Sequence, residues 1–474
     1  MNLPGIERAS GLGTSERSAV ERLLDVAARV EPRNRLLDRY FESDVTPANL
    51  GVRNIPDGVL VDAKCDWSRK AVTSVSERVR LDGFTFVGDY EDAGLERVER
   101  DSALVNAYNR NVASELTHGC IFATVNRSAS GAYVRVHSAE SAAATWDEAA
   151  GRIGSGLVVA DMSTTRWSPV RPVPTAANLH LPGEVVAMRR VGPSSWEAEA
   201  FDTPLDRPMM EALCYRPTGT KPLGQTRITS TVRCLHLEVE RTMQSMVVCQ
   251  AFYAFPHYYL MGLTEEMYNE LSEKRWETAA GAVLMATSGD DGAPTVGQLS
   301  SASPQPFIDA IAAYGKLFSG ATGVPLNSLG IVQDNPSSAE AIAAQREDIC
   351  VAAEDCIESN RVGLRNVALM AMAVEGDVGL DGLTDEQLSV EPNFRNPMRP
   401  SIAASADAMT KMISVLPWLA DSDVSLRELG FSDSQVQQLR SDRDRAQSRA
   451  LVQAAAALPA ARSAAAETGA AGGA

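Results

Sequence analysis

The chain has 474 residues, 45% of them hydrophobic and 22% charged, with a formal net charge of −17, an isoelectric point near 4.9 and a mean hydropathy of −0.13. That length leaves room for about three domains with a real core, and the scattering of Arg and Lys among carboxylates argues against basic stripes that grip nucleic-acid phosphates. No run of about 18 apolar residues predicts a membrane span, and residues 1–30 hold no apolar signal-peptide core.

Two helices are predicted within residues 15–50, the first on Val20, Leu23, Leu24, Val26 and Ala27, the second on Leu36, Leu37, Tyr40 and Phe41. Val61, Cys65, Ser68, Val72, Val75 and Val79 recur at spacings of four and three, predicting a helix that closes near Asp82-Gly83. Phe84–Val87 alternates like a strand, and a helix over about Ser102–Thr117 ends on Gly119. Strand-like pieces follow at Ile121–Val125, Tyr133–His137, Leu157–Ala160, Glu184–Arg189 and Ser195–Ala200, so residues 1–222 read as an α+β domain with helices first.

A long helix is expected from Gly224 to about Phe252, striped by Ile228, Val232, Leu235, Val239, Met243 and Val247. Residues 253–297 are irregular and Gly-rich, with a strand at Ala282–Ala286. Pro304–Ser319 reads as a helix through Phe307, Ile311, Tyr314 and Phe318. A turn-rich loop then opens into the longest predicted element: Asn335-Pro336 breaks the preceding structure, and Ser337 with Glu340 forms a capping box. Counting from there to Val374, about 37 residues at 1.5 Å each make a rod of about 55 Å. A Pro-rich link at 392–400 leads to helices at Ser405–Leu416 and Ser432–Ser448, and an Ala/Gly-rich tail reads as frayed or disordered.

The chemistry of a catalytic site is sought without success. No GxxxxGK[ST] occurs, and GRIGSG (151–156) and SGATG (319–323) lack the lysine of a phosphate loop. The five histidines, His118, His137, His180, His236 and His257, are isolated and read as helix-terminal or partly buried imidazoles rather than metal ligands. Seven cysteines without a CxxC pair read as reduced core thiols in a reducing aqueous compartment. Acidic clusters such as Asp89–Asp92, Glu354-Asp355 and Asp421–Asp423 are candidates for Mg²⁺, although their ordinary reading is solvated loops and helix faces. The aromatic run Tyr253, Phe255, His257, Tyr258 and Tyr259 reads as packing against a neighbouring chain before it reads as a base-stacking platform. No cofactor is expected.

Several blocks resemble the portal (head-to-tail connector) proteins of tailed bacteriophages, in the group common among phages of actinobacteria: LLDRYFESDVTPANLG (36–51), VDAKCDWSRKAVTSVSERVRLDGF (61–84), PLGQTRIT (222–229), VPLNSLG with NPSSAEAI (324–342), EPNFRNPMRPSIAASADAMTKM (391–412) and RELGFSDSQV (427–436). The resemblance covers about residues 36–445, and Thr226 stands where that family's stem entry has Ser. It implies an α+β, mainly helical portal fold: a wing at 1–222, stem helices at 223–252 and 302–323, a clip at 253–301, a tunnel loop at 324–337, a long wing helix at 338–374 and a crown at 375–450, with the tail at 451–474 outside it. It further implies a non-enzymatic ring of twelve copies at one capsid vertex of the virion, assembled in the host cytoplasm, through which double-stranded DNA passes without sequence specificity. The partners implied are the terminase large subunit, head-completion or adaptor proteins, and major capsid and scaffold proteins, with no membrane. Asn327, Ser328, Gln333, Asp334 and Asn335 would face the DNA, and Gly224, Thr226 and Arg227 would form the stem entry. The competing readings are a metal-dependent DNA-processing enzyme of packaging and an adaptor that forms no ring.

Overall fold

The computed structural model describes residues 1–46, 63–86, 94–166, 168–253, 258–273, 283–287, 294–298, 303–331, 346–398, 402–431 and 435–449. The chain divides into two compact units, Met1–Pro397 and Met398–Ala474. Helices and mostly antiparallel sheets are both abundant, so the α+β expectation holds.

The first unit opens with helix α1 (Thr14–Phe41), α2 (Trp67–Ser76) and strand β1 (Leu81–Phe86), then α3 (Leu95–Ser102) and α4 (Leu104–His118). Eight strands follow: β2 (Cys120–Ser128), β3 (Gly131–Ser138), β4 (Ala142–Asp147), β5 (Arg152–Thr165), β6 (Ser168–Leu181), β7 (Glu184–Arg190), β8 (Trp196–Asp202) and β9 (Met210–Cys214). They form a three-stranded sheet, β3-β2-β9, and a five-stranded meander, β4-β5-β6-β7-β8. Gly156, from the GRIGSG cluster, lies inside β5, where a Cβ would stand 2.0 Å from Met210 Sδ, so this glycine serves close packing between sheets.

Helix α5 (Ser230–Tyr253) leads to β10 (Tyr258–Leu263), α6 (Glu265–Glu273), β11 (Val283–Thr287) and β12 (Thr295–Gln298), which pair as β11-β10-β12. Helix α7 (Gln305–Thr322) follows, then α8 (Glu347–Gly376), the short α9 (Asp385–Leu388) and β13 (Val390–Phe394). Helix α8 is the beam of the largest core: Ile349, Ala353, Cys356, Leu364, Val367, Ala371 and Val374 are buried in one cluster with residues of α2, α4, β2 and the start of α5. At Gly363 an added Cβ would meet Leu213 Cδ2 at 2.7 Å and Ala212 O at 3.2 Å, so this glycine lets the beam lie directly on β9. A second cluster packs α1 and the N-terminal residues on the meander. A third, with Phe122, Val158 and Met210, fills part of the space between the two sheets. The second unit holds α10 (Ile402–Val415), α11 (Asp423–Glu428) and a helix α12 over 435–449.

Several boundaries differ from the sequence expectation. The two N-terminal helices are one, because the buried stripe Val20, Leu23, Ala27, Asn34 and Leu37 runs straight past Pro32. Pro32 and Ala28, whose carbonyl loses its partner to the proline, both lie on the exposed face, where water satisfies that carbonyl. The helix expected from Val61 begins at Trp67, with residues 61–62 outside the described set. Arg346 is a turn and the 30-residue α8 begins after it, about 45 Å long, while positions 337–345 of the expected rod lie outside the described residues. Strands β4, β6 and β9 escaped sequence reading, as did β10, α6 and β12 in the stretch 253–297 that reads as irregular, and the Pro-rich link at 392–400 contributes β13, which pairs with β1 through Leu81↔Phe394 and Phe86↔Val390. Pro392 tolerates this because its sheet has only two strands, both of them edges.

Candidate functional site at the root of the paired helices

Helices α5 and α7 lie side by side and antiparallel, and they leave the large core together. The expected helix start at Gly224 is displaced to Ser230, where the Thr229 hydroxyl accepts from the Val232 N–H at 3.3 Å as a cap. The six preceding residues make a joint instead. Gly224 has φ 75° and Gly119, the end of α4, has φ 106°. A Cβ on Gly224 would lie 2.1 Å from Gly119 O, so the two backbones cross where only glycine fits. The crossing is held by Tyr215 N–H donating to Gly119 O at 3.0 Å, Gln225 N–H to Tyr215 O at 2.8 Å and Arg227 N–H to Leu116 O at 2.8 Å.

Arg227 organises the joint. Its guanidinium is buried and donates from Nε to Ala71 O in α2 at 2.7 Å, from Nη1 to the Tyr215 hydroxyl at 2.9 Å and from Nη2 to Thr322 O at 2.7 Å. Thr322 is the last residue of α7, before the left-handed cap Gly323. The cation therefore meets an orphan carbonyl at the negative end of a helix dipole. Phe318 of α7, fully buried, packs on Trp67 of α2 with ring centroids 5.2 Å apart. One side chain and one ring pair thus tie the start of α5 and the end of α7 to the same helix of the core.

Three further polar clusters involve the helices that meet here. In α5, His236 is fully buried, 3.0 Å from Ser68 Oγ through Nδ1 and 3.3 Å from Glu240 Oε1 through Nε2. Burial, with Lys64 beside it and Asp66 opposing, brings His236 down to about 4, so it is neutral at pH 7. Glu240 accepts from Cys65 N–H at 3.1 Å. Between α4 and α8, Asn360 Nδ2 donates to the Glu115 carboxyl at 2.8 Å and also lies 2.9 Å from the Tyr108 hydroxyl. Burial pushes the Glu115 carboxyl up to about 7, against the opposing hydrogen bonds from Asn360 and Cys356. His118, at the end of α4, bonds Asp38 Oδ1 at 2.9 Å, with Nδ1 3.0 Å from Ser114 O and 3.2 Å from Ser114 Oγ. This Ser/His/Asp set is a helix-end anchor: the buried imidazole sits against its own helix carbonyl. Among the described residues no group of three or more His, Cys, Asp or Glu is placed to hold a metal ion.

Of the residues singled out by sequence, Gly224, Thr226 and Arg227 meet in the joint, Thr226 Oγ1 accepting from Ile228 N–H at 2.9 Å. Asn327 and Ser328 are exposed on a 3-10 turn, Leu326–Leu329, just beyond α7. Gln333, Asp334, Asn335, Ser337 and Glu340 lie outside the described residues. Sequence reading missed Ala71, Tyr215 and Thr322 as partners of Arg227, and no local pattern marks them. Both paired helices are close to neutral, with Arg233 and Arg241 balanced by Glu238 and Glu240 on α5, and Lys316 by Asp309 on α7. On α7, exposed Ile308 and Leu317 flank the inward stripe of Ile311, Tyr314 and Phe318 on either side. No described helix is long and apolar enough to cross a membrane.

Comparison with known proteins places this geometry in context. No protein-family model matches the chain. Over 423 residues it is 22% identical to the "Portal protein" of Mycobacterium phage L5, covering 85% of this chain and 83% of that protein. It is 23% identical to the "Portal protein" of Mycobacterium phage D29 over the same length and with the same coverage. A chain of the solved structure titled "Neck of native GTA particle computed with C12 symmetry" superposes with a TM-score of 0.40 at 14% identity, covering 79% of this chain and 89% of that chain. The sequence resemblance is thus borne out by curated homologues that carry the name it suggested.

Proposed function

We propose that this chain, a homologue of phage portal proteins, is the subunit of a ring at the portal vertex of a tailed-phage capsid and lines the channel through which DNA enters and leaves. The observation that carries the reading is the similarity to two portal proteins along 85% of the chain. In this reading residues 1–222 form the wing and 253–301 the clip. The stem is 223–252 and 302–323, whose helices α5 and α7 are stapled to the wing by Arg227. The tunnel loop is 324–337, the wing-crossing rod is 338–374 with α8 as its described part, and the crown is 375–450, followed by the tail at 451–474. Residues 375–397 belong to the compact unit Met1–Pro397, and the second unit begins at Met398.

The physics supports a conduit. Each phosphate gripped by a cation releases counterions and adds affinity, which would stall moving DNA. Charge-balanced stem helices, and a loop of Asn327, Ser328, Gln333, Asp334 and Asn335 without a cation, avoid that grip. Apolar residues on both flanks of α7 suit a ring in which each helix packs on neighbours at either side. The role is structural rather than catalytic, and the terminase large subunit, head-completion or adaptor proteins, and capsid and scaffold proteins are the proposed partners.

Mass measurement and negative-stain imaging of the purified full-length protein test the reading: closed rings are expected, twelve copies by the family resemblance. A persistent monomer in the presence of scaffold protein contradicts it. Gln333→Lys with Asn335→Lys tests the loop; rings form normally, while packaged DNA becomes shorter or its yield falls. Unchanged DNA length and yield would move the loop away from the channel.

A further inference from the structure

Two cysteines face each other next to the joint. Strands β2 and β9 pair antiparallel in the register Cys120↔Cys214, Ile121↔Leu213 and Phe122↔Ala212. Tyr215 N–H donates to Gly119 O at 3.0 Å, one residue beyond the cysteines on each strand. That bond makes Cys120 and Cys214 a non-hydrogen-bonded pair, the class in which opposed Cα atoms lie about 4.5 Å apart and the side chains come closest. A disulfide accepts Cα separations of about 4.4–6.8 Å, so the two strands already stand at bridging distance.

Both side chains lie on the face of β2 and β9 that looks toward the meander, in the cluster of Phe122, Ala142, Ala144, Ile153, Val158 and Met210. The alternate residues Ile121 and Leu213 belong to the largest core on the other face. Both cysteines are free thiols. The Cys214 thiol is pushed up, first by its hydrogen bond to Cys120 and then by burial, so it stays protonated and donates to the Cys120 sulfur. The pair is not sealed: Cys120 is 7% and Cys214 6% exposed, whereas Cys356 is 0% exposed. Half-buried Ala139, Ala212 and Leu223 flank it. An opening of that size admits a peroxide rather than a bulky disulfide.

We propose that Cys120 and Cys214 are a redox site, which hydrogen peroxide converts reversibly into a cross-strand disulfide. The Cys120 sulfur attacks a peroxide oxygen; an S–O bond forms, the O–O bond breaks, and the released hydroxide leaves as water with the Cys120 proton. The Cys214 sulfur then attacks the sulfenic sulfur; an S–S bond forms, the S–O bond breaks, and a second water leaves with the Cys214 proton. Two thiols and one hydrogen peroxide thus give one disulfide and two waters. The new bond closes a loop that contains the whole meander and locks β2 to β9 one residue from the crossing of Gly119 and Gly224. It acts on the root of α5 and on the β9 surface that carries α8, whatever the chain assembles into.

The test is peptide mass mapping of the full-length protein, with the exposed Cys234 and the half-buried Cys249 changed to Ser. After mild hydrogen peroxide, denaturation and alkylation, the Cys120 and Cys214 peptides are joined, two hydrogens lighter than their sum, and separate on reduction. The oxidised protein melts about 5 °C higher than the reduced one, because the closed loop lowers the entropy of the unfolded chain. Cys120→Ala or Cys214→Ala alone removes both changes. Two cysteines that stay fully alkylated at a peroxide level that oxidises the exposed methionines would overturn the proposal. So would a Cys120 driven to sulfinic acid with Cys214 still free, or a bond formed only between copies of the chain.

Discussion

At the root of the paired helices, three donors of Arg227 reach buried acceptors at 2.7–2.9 Å, two of them main-chain carbonyls and one a hydroxyl. Between the sheets the accounting is incomplete: Thr203 Oγ1 and both ring nitrogens of His180 are buried without hydrogen-bond partners. Both regions belong to one compact unit, so the difference is local. A buried group with its bonds made holds a joint rigid, whereas a buried group without them stores free energy that a partner can release. The comparison therefore separates a joint whose donors and acceptors are paired, which orients α5 and α7, from an inter-sheet space that keeps unpaired buried groups.

The largest effect should come from the joint. Arg227→Ala leaves several buried acceptors unpaired and should cost about 3–5 kcal/mol in denaturant unfolding of the full chain. Arg227→Lys should recover only part of this, since a compact ammonium cannot span three divergent acceptors. A loss below about 1 kcal/mol would show that the joint does not depend on the guanidinium.

Glu115 tests the protonation of the buried network between α4 and α8. Its carboxyl rises from 4.5 to about 7, so the folded chain holds a proton that the unfolded chain releases. Stability should fall as pH rises from about 4.5 to about 7, by roughly 3 kcal/mol in all, and then level off. Glu115→Gln should remove that slope and leave the variant more stable than the parent at pH 8. An unchanged slope would remove Glu115 as its source. Tyr108, Asn360 and Cys356 surround the carboxyl, and Tyr108 and Cys356 are pushed up far enough to stay protonated over this window.

Gly224→Ala puts a Cβ against Gly119 O at a positive φ and should cost about 2 kcal/mol in the same unfolding assay. The smallest effect belongs to the inter-sheet space. Burial, then the charge of His137, brings His180 down to about 3. The stability of its neutral form is present above the unfolded value of 6.5 and is lost as pH falls towards 3. His180→Leu should be about 1 kcal/mol more stable at pH 7 and should lessen that acid loss. A destabilised His180→Leu would mean that the imidazole is satisfied after all, which would narrow the contrast between the two regions.

Much of the local structure was legible. Gly119 as the cap of α4, the β2, β3, β7 and β8 segments and the stripe of α7 follow from periodicity and glycine placement, because each depends on neighbours within a few residues. Boundaries failed where distant contacts prevailed. Gly224–Thr229 looks helical in its apolar spacing, yet it folds as a joint because Arg227 bonds residues 12, 95 and 156 positions away. The strand at 390–394 was hidden by its proline and is made by pairing with β1, some 300 residues earlier.

The sequence alone determined an acidic, motif-poor α+β chain with long helices, and its blocks pointed to portal proteins, as the named homologues bear out. Tertiary structure alone decided that Arg227 joins the two long helices to the core, that burial raises the Glu115 carboxyl to about 7 and that a cleft stands open between two sheets. The reason is physical. Helical and strand periods are properties of adjacent residues, whereas desolvation and hydrogen-bond completion depend on which distant groups the folded chain brings within 3 Å.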